Sequence, residues 1–407
     1  MLQAAQQNNL RLVRLALAAG TDVNRTSPQV YRQTPLFVAA RQGHVEMCRL
    51  LLTKGKADVN QADDEGHTPL LYAGQHNKID VCRLLLTVGR ADVNKATLQG
   101  ITPLNAAAGA NQPDVCRLLL AEGGANVNQA GTDGATPLHC AATLGFLEPC
   151  RVLLLEGKAD PEQATLEGFS PLAAAAQGGH ADVCRLLLVA GKVDVNRPHP
   201  NGETALHFAS RGGHTEVCRL LITEGGANVN QASKVGLTPL HGAAAYNHPA
   251  VCRLLLTEGN AEVDSARNVA CWSPLFIAAY LGHAKVCKVL VVEGKADVDR
   301  RDVKGSTPLH MASSGGHESI VRLLLQHGAK ETGPVVGGKP VFPADLAAEC
   351  GRQSTVAYLA RKRCALCDTL ADTKACARCH SVQYCSRECQ KQHWKVHKPD
   401  CKPSGTT

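Results

Sequence analysis

Large aromatic rings are scarce in this chain: Phe, Tyr and Trp make up 3% of its 407 residues. A core of stacked rings is therefore excluded. Leu, Val and Ala in closely packed helices must supply the burial that a 44% hydrophobic content permits. That content is too high for a disordered chain. No stretch approaches the roughly 18 consecutive apolar residues of a membrane span. The opening MLQAAQQNNLRLVRLALAAG begins on polar residues and is interrupted by Arg11 and Arg14, so it lacks the form of a secretory signal. These absences predict a cytoplasmic or nuclear protein, neither secreted nor transmembrane. In that reducing setting the 18 cysteines read as metal ligands or packing groups rather than disulfides. A charge excess is also missing from most of the chain. Residues 1–360 carry 33 Lys and Arg against 32 Asp and Glu, and residues 361–407 carry ten against four. The net charge of +7 belongs to the tail.

What is present is a repeat. A hydroxyl residue followed by Pro-Leu or Ala-Leu recurs at Thr34, Thr68, Thr102, Thr136, Ser170, Thr204, Thr238, Ser273 and Thr307. The step is 34 residues, except for 35 between Thr238 and Ser273. Each hydroxyl is suited to cap a helix, and Pro suits the first helical position, where its missing N–H costs nothing. Nine residues after each cap sits Gly or Asn: Gly43, Asn77, Asn111, Gly145, Gly179, Gly213, Asn247, Gly282 and Gly316. Those types best tolerate a left-handed backbone, so the chain turns there. A second helix with an apolar run follows and ends at another glycine, from Gly55 to Gly328. One such pair cannot bury its apolar faces alone, so the pairs must stack.

The order T-P-L-x-x-A-A, G-H, V-C-R-L-L-L and G-x-A-D-V-N resembles the ankyrin repeat, whose usual period is 33. An extra residue after the second glycine accounts for 34. The resemblance implies a mostly α fold: an ankyrin-repeat solenoid of helix-turn-helix units with projecting turns. It places an N-terminal capping unit at 1–33, nine repeats over 34–333 and a degenerate C-terminal capping unit at 334–363. It also implies a concave surface, made by turn tips and first helices, that binds partner proteins. On that surface the variable positions include Asp63-Asp64-Glu65, Leu98, Leu144, Leu166-Glu167, Val235, Tyr246, Tyr280 and Leu281.

Three repeated columns invite a chemical reading and have a simpler one. Cys48, Cys82, Cys116, Cys150, Cys184, Cys218, Cys252 and Cys287 recur once per repeat. Stacked helices stand ~8–10 Å apart, beyond the ~7 Å Cα limit of a disulfide. One thiol per repeat is also too few to hold a metal, so buried packing is expected. His139, His207, His241 and His310 follow the cap, and His44, His180, His214, His283 and His317 follow the turn glycine. A column repeated along a stack is the opposite of a unique catalytic site. Arg49 to Arg219 follow the cysteines with an acid three residues earlier. Ala250, Lys285 and Ser319 take that place in the last three repeats, which predicts that Arg253, Lys288 and Arg322 are unpaired.

From Cys364 the sequence changes character. Cys364, Cys367, Cys376, Cys379, Cys385, Cys389, His397 and Cys401 fall in four close pairs within 38 residues. Eight soft donors divide into two closed tetrahedral sets, the pattern of structural zinc. The spacing, with Tyr384, Ser386, Gln390, Trp394 and Lys398, resembles the MYND zinc finger over 364–401, leaving 402–407 as a tail. A RING finger, whose last pair is C-x-x-C, does not fit the closing H-x-x-x-C. The resemblance implies one zinc on Cys364, Cys367, Cys385 and Cys389, and the other on Cys376, Cys379, His397 and Cys401. It further implies a site for short proline-containing peptides lined by Gln390 and Trp394. Seven thiolates and two zinc ions would lower the tail's net charge from +6 to about +3. No base-reading helix or row of stacking aromatics is present, so specific nucleic-acid binding is not expected.

Together these features predict a non-enzymatic adaptor or scaffold. There is no phosphate-binding glycine loop, nucleophile elbow or open metal site. A nuclear transcriptional co-regulator acting through the finger, and a relative or regulatory subunit of MYND-containing protein methyltransferases, are the alternatives that the finger implies.

Overall fold

The structure is a computed structural model. It describes residues 1–26, 32–331, 335–336, 339–361, 374–375 and 383–384. The chain packs as two compact bodies, Met1–Asn228 and Val229–Thr407.

Each repeat contributes a first helix, A, and a second helix, B. In the N-terminal body the A helices are Pro35–Gln42, Pro69–Gln75, Pro103–Gly109, Pro137–Thr143, Pro171–Gly178 and Ala205–Gly212. In the C-terminal body they are Pro239–Ala245, Pro274–Leu281 and Pro308–Gly315. All nine start at the expected hydroxyl. In repeats 1–5 and 8 the hydroxyl oxygen accepts the N–H three residues on, as Thr34 does from Phe37 at 3.1 Å. The turn residues Gly43 to Gly316 all have positive φ, including Asn77, Asn111 and Asn247.

The B helices are Val45–Thr53, Ile79–Thr87, Pro113–Ala121, Leu147–Arg151, Ala181–Val189 and Thr215–Thr223 in the first body. Pro249–Thr257, Ala284–Lys288 and Glu318–Gln326 follow in the second. The fourth and eighth widen into π-helix over Val152–Glu156 and Val289–Glu293. The B helices that end at Gly55, Gly89, Gly123, Gly191, Gly225 and Gly259 share a milder form of this ending, as in Gly89, whose N–H bonds back to Leu84 at 3.2 Å.

The second glycine column has a different cause from the first. A Cβ on Gly89 would lie 2.7 Å from the Leu85 carbonyl and 2.7 Å from Val59, so the position is set by close approach. The left-handed conformation falls instead on the next residue: Lys56, Arg90, Lys158, Lys192, Asn260 and Lys295 all have φ between 52° and 58°. That is the inserted residue behind the 34-residue period. Repeat 9 lacks it, and there Gly328 itself takes φ 87°.

Neighbouring A helices pack side by side within each body, as do successive B helices. The A-helix leucines Leu36 to Leu309 and the whole cysteine column are buried. Polar ladders run beside this core. The Asn24 Oδ1 accepts the Asp58 N–H, Asn60 that of Asp92, Asn94 that of Asn126 and Asn128 that of Asp160, at 2.8–2.9 Å. Turn tips are tied to one another through Leu98 N–H to the Glu65 carbonyl, Thr132 to Gln99 and Leu166 to Asp133. Pro200 has no N–H to continue that ladder.

At the ends, helices Leu2–Gln6 and Leu10–Ala18 precede the repeats, and Pro343–Glu349 and Gln353–Arg361 follow them. Two short antiparallel ladders pair Val335–Val336 with Lys339–Pro340 and Lys374–Ala375 with Gln383–Tyr384.

Candidate interaction surface

Apart from His139, the histidine columns are structural. In repeats 6, 7 and 9 the cap's own backbone N–H donates to the imidazole Nδ1: Thr204 to His207 at 3.0 Å, Thr238 to His241 at 3.1 Å and Thr307 to His310 at 3.2 Å. An Nδ1 that accepts carries no proton, so Nε2 must. That Nε2–H reaches the next turn, His241 to the Trp272 carbonyl at 3.0 Å and His310 to that of Val341 at 3.1 Å. Asn105 does the same work, accepting from Thr102 N–H at 3.1 Å and donating to Ala135 at 3.2 Å. The second column donates backward across repeats, as His214 does to the Gln177 carbonyl at 2.9 Å.

Burial pushes the thiols of Cys48, Cys82, Cys116, Cys150, Cys184, Cys252 and Cys287 up to about 12, and that of Cys218 to about 11. Such thiols are neutral and inert at neutral pH. Of the cysteines off this column, Cys140 and Cys271 are partly buried and Cys350 is exposed.

The arginine column differs from expectation. Arg253 pairs with Glu293, its Nε donating at 2.7 Å, and Arg322 pairs with Glu318 at 3.0 Å. Glu318 is four residues before Arg322 on the same helix, whereas the partner of Arg253 is a glutamate at the end of the next B helix. Arg83–Glu122, Arg117–Glu156 and Arg185–Glu224 follow the same rule.

What remains for recognition is the face built from tips and A helices. In the N-terminal body an open cavity of about 540 Å³ is lined by residues from repeats 2–4, among them Leu71, Ile101, Ala106, Asp133, His139 and Leu144. A second, of about 480 Å³, continues to repeat 5 past Leu166, Glu167 and Phe169. His139 lines both. It occupies the slot of His207 in sequence, but its Nδ1 lies 3.5 Å from the Thr143 hydroxyl and its buried Nε2 has no hydrogen-bond partner. In the C-terminal body the long repeat carries an aromatic cluster. The Trp272 ring stacks 5.5 Å from Phe276 and lies 6.1 Å from Tyr280. Val269 at its tip is 92% exposed, and the next residue but one, Cys271, has φ 53°.

Leu144, Leu166 and Glu167 were legible as variable positions. Asp133, Ile101 and Trp272 were not singled out, although the 35-residue step marked the repeat that carries Trp272. The ligand candidates Cys364, Cys367, Cys376, Cys379, Cys385, Cys389, His397 and Cys401, with Gln390 and Trp394, lie outside the described residues. The paired Lys374–Ala375 and Gln383–Tyr384 directly precede Cys376 and Cys385 in sequence. Among the described residues no cluster of His, Cys, Asp and Glu could hold a metal ion, and no helix is long and apolar enough to cross a membrane.

Stacked helix pairs with projecting tips and a variable, partly apolar face define a protein-interaction solenoid. The family model for ankyrin repeats matches residues 1–97, 88–165, 155–233, 172–267, 240–334 and 275–369. The chain belongs to the ankyrin-repeat family. The MYND finger model matches residues 348–401. A MYND finger binds zinc, and seven thiols with one imidazole are donors suited to that ion. SET domain-containing protein 14 of Caenorhabditis elegans is 48% identical over 34 residues, which is 8% of this chain and 8% of that protein.

Proposed function

We infer that the chain is a non-enzymatic adaptor that holds one partner protein on the concave ankyrin surface and another, through a short proline-containing peptide, on the finger. The observation carrying this reading is the pair of linked cavities on the tip and A-helix face of repeats 2–5, a surface whose residues vary while the caps and core repeat. Rigid, hydrogen-bonded tips reduce the ordering cost of binding there. The domain limits follow: caps at 1–33 and 334–363, nine repeats over 34–333, and a finger over 364–401.

In the finger, Cys364, Cys367, Cys385 and Cys389 hold one zinc, and Cys376, Cys379, His397 and Cys401 hold the other. Zinc supplies folding energy to a segment with little apolar core. Gln390 and Trp394 line the peptide site. The SET domain named in the C. elegans protein stays with that protein, because the match covers 8% of each chain.

The test is affinity capture with the full chain and two full-length variants, Leu144→Glu and Trp394→Ala. The reading requires that each variant lose a different partner. Loss of no partner from either variant, or turnover of a substrate by the purified chain, defeats it.

A further inference from the structure

We propose that the groove over repeats 2–5 binds a basic, extended segment of a partner protein that presents one aliphatic side chain, with Lys or Arg about three residues from it. This deepens the adaptor reading and rests on it. The charge on the groove is one-signed. The tips 63–66, 97–100, 131–134 and 165–168 and the A helices Pro69–Gln75, Pro103–Gly109, Pro137–Thr143 and Pro171–Gly178 contain Asp63, Asp64, Glu65, Asp133 and Glu167. They contain no Lys or Arg. Three of the five acids are engaged: Asp63 accepts from His67 at 3.2 Å, Glu65 lies 3.7 Å from the same ring, and Asp64 lies 3.8 Å from Arg32. Asp133 and Glu167 are exposed and have no ion-pair partner among the described residues.

The apolar element sits beside them. Leu144 is 51% exposed, Leu166 79% and Leu98 73%, and Ile101 lines the larger cavity together with Leu144. Asp133 lines both cavities and Glu167 the second. The cavities follow one another along the stack, which suits an extended chain better than a compact ligand. Adjacent helices are ~8–10 Å apart and an extended chain advances ~3.3 Å per residue, so one repeat corresponds to roughly three partner residues. An aliphatic anchor against Ile101 and Leu144 then brings a cation about three residues away to Glu167. The same carboxylates repel phosphate, so this groove does not suit nucleic acid.

The test is selection of random short peptides displayed on phage against the immobilised full chain, followed by anisotropy titration of the enriched sequences. The proposal expects Leu or Ile with Lys or Arg about three residues distant. It expects affinity to fall about tenfold or more at low salt in Asp133→Lys/Glu167→Lys, and to be lost in Leu144→Asp. All three positions are exposed, so the variants should keep the parent's circular dichroism. Acidic or uncharged selected peptides, no enrichment, or binding unmoved by these variants overturns the proposal. Binding that moves instead with Trp272→Ala or Tyr280→Ala overturns it but leaves the adaptor reading standing. Binding that ignores every substitution on the tip and A-helix faces defeats both.

Discussion

Arg117 reaches out of its own helix to Glu156, 39 residues on, with Nε 2.9 Å from one carboxylate oxygen, while its Nη1 also holds Asp114 at 2.9 Å. The guanidinium thereby joins a local helix pair to the end of the next B helix. Its fork geometry permits this, and a lysine's point charge would not reproduce it.

The pair is about half exposed on both sides, so screening limits its worth. A double-mutant cycle on Arg117→Ala and Glu156→Ala should give a coupling below about 1 kcal/mol in chemical denaturation. The coupling should shrink at high salt. A salt-insensitive coupling of several kcal/mol would contradict an exposed ion pair.

His310 and Asn105 satisfy the same three-point requirement with different chemistry. His310→Asn should therefore stay within about 1 kcal/mol of the parent, while His310→Leu strands a buried N–H and a carbonyl at a cost of about 1–3 kcal/mol. Burial also holds His310 below its ordinary value of 6.5, with the Val341 carbonyl opposing. Above pH 6.5 both folded and unfolded forms are neutral and the histidine adds no pH dependence. Below it the unfolded chain takes up a proton that the native ring resists, so stability falls with falling pH. Urea melts at pH 7 and pH 5 should show a smaller drop for His310→Asn than for the parent.

The legible part of the fold is the part fixed by local requirements. A hydroxyl cap at Thr34, a proline at the first helical position and a left-handed turn at Gly43 each follow from one residue's own geometry. The left-handed Lys56 was not legible in its conformation, because lysine carries no signal for it and the turn imposes it. Arg253 was expected to be unpaired because its helix offers no acid, whereas stacking register brings it to Glu293. His139 and His207 hold the same position three residues after the cap and differ in arrangement, which that position alone does not reveal. On the candidate surface, Leu166 and Glu167 stood out by varying. Asp133 gained meaning only when the structure set it beside Ile101 and Leu144.

Zinc removal should separate the finger from the solenoid. The capped, leucine-lined helix pairs of the described repeats contain no metal cluster. A strong chelator at neutral pH should release two zinc ions per chain to a colorimetric indicator, while most of the far-ultraviolet helical signal remains. Cys379→Ser should lower the release to about one ion if the two sets are independent. Release of a single ion from the parent would refute the two-set assignment.

Alkaline pH should attack the core through the cysteine column. Each buried thiol has its ordinary value of 9.0 raised to about 12, or about 11 for Cys218. Below pH 9 both states carry the proton and nothing is lost. Above it the unfolded chain ionises and the native chain does not, so the native state binds more protons and stability falls as pH rises. Each thiol adds a slope of up to about 1.4 kcal/mol per pH unit, and eight act together. The repeats should therefore unfold steeply between pH 9 and 12, and Cys116→Val or Cys184→Val should each move the midpoint upward by removing one ionisable group at nearly constant volume. The same burial should protect the column from iodoacetamide at pH 7.5, leaving Cys271 and Cys350 as the faster-reacting sites among the described cysteines. A flat alkaline profile, or rapid labelling of Cys184 in the native chain, would show that the column is more open than the packing allows.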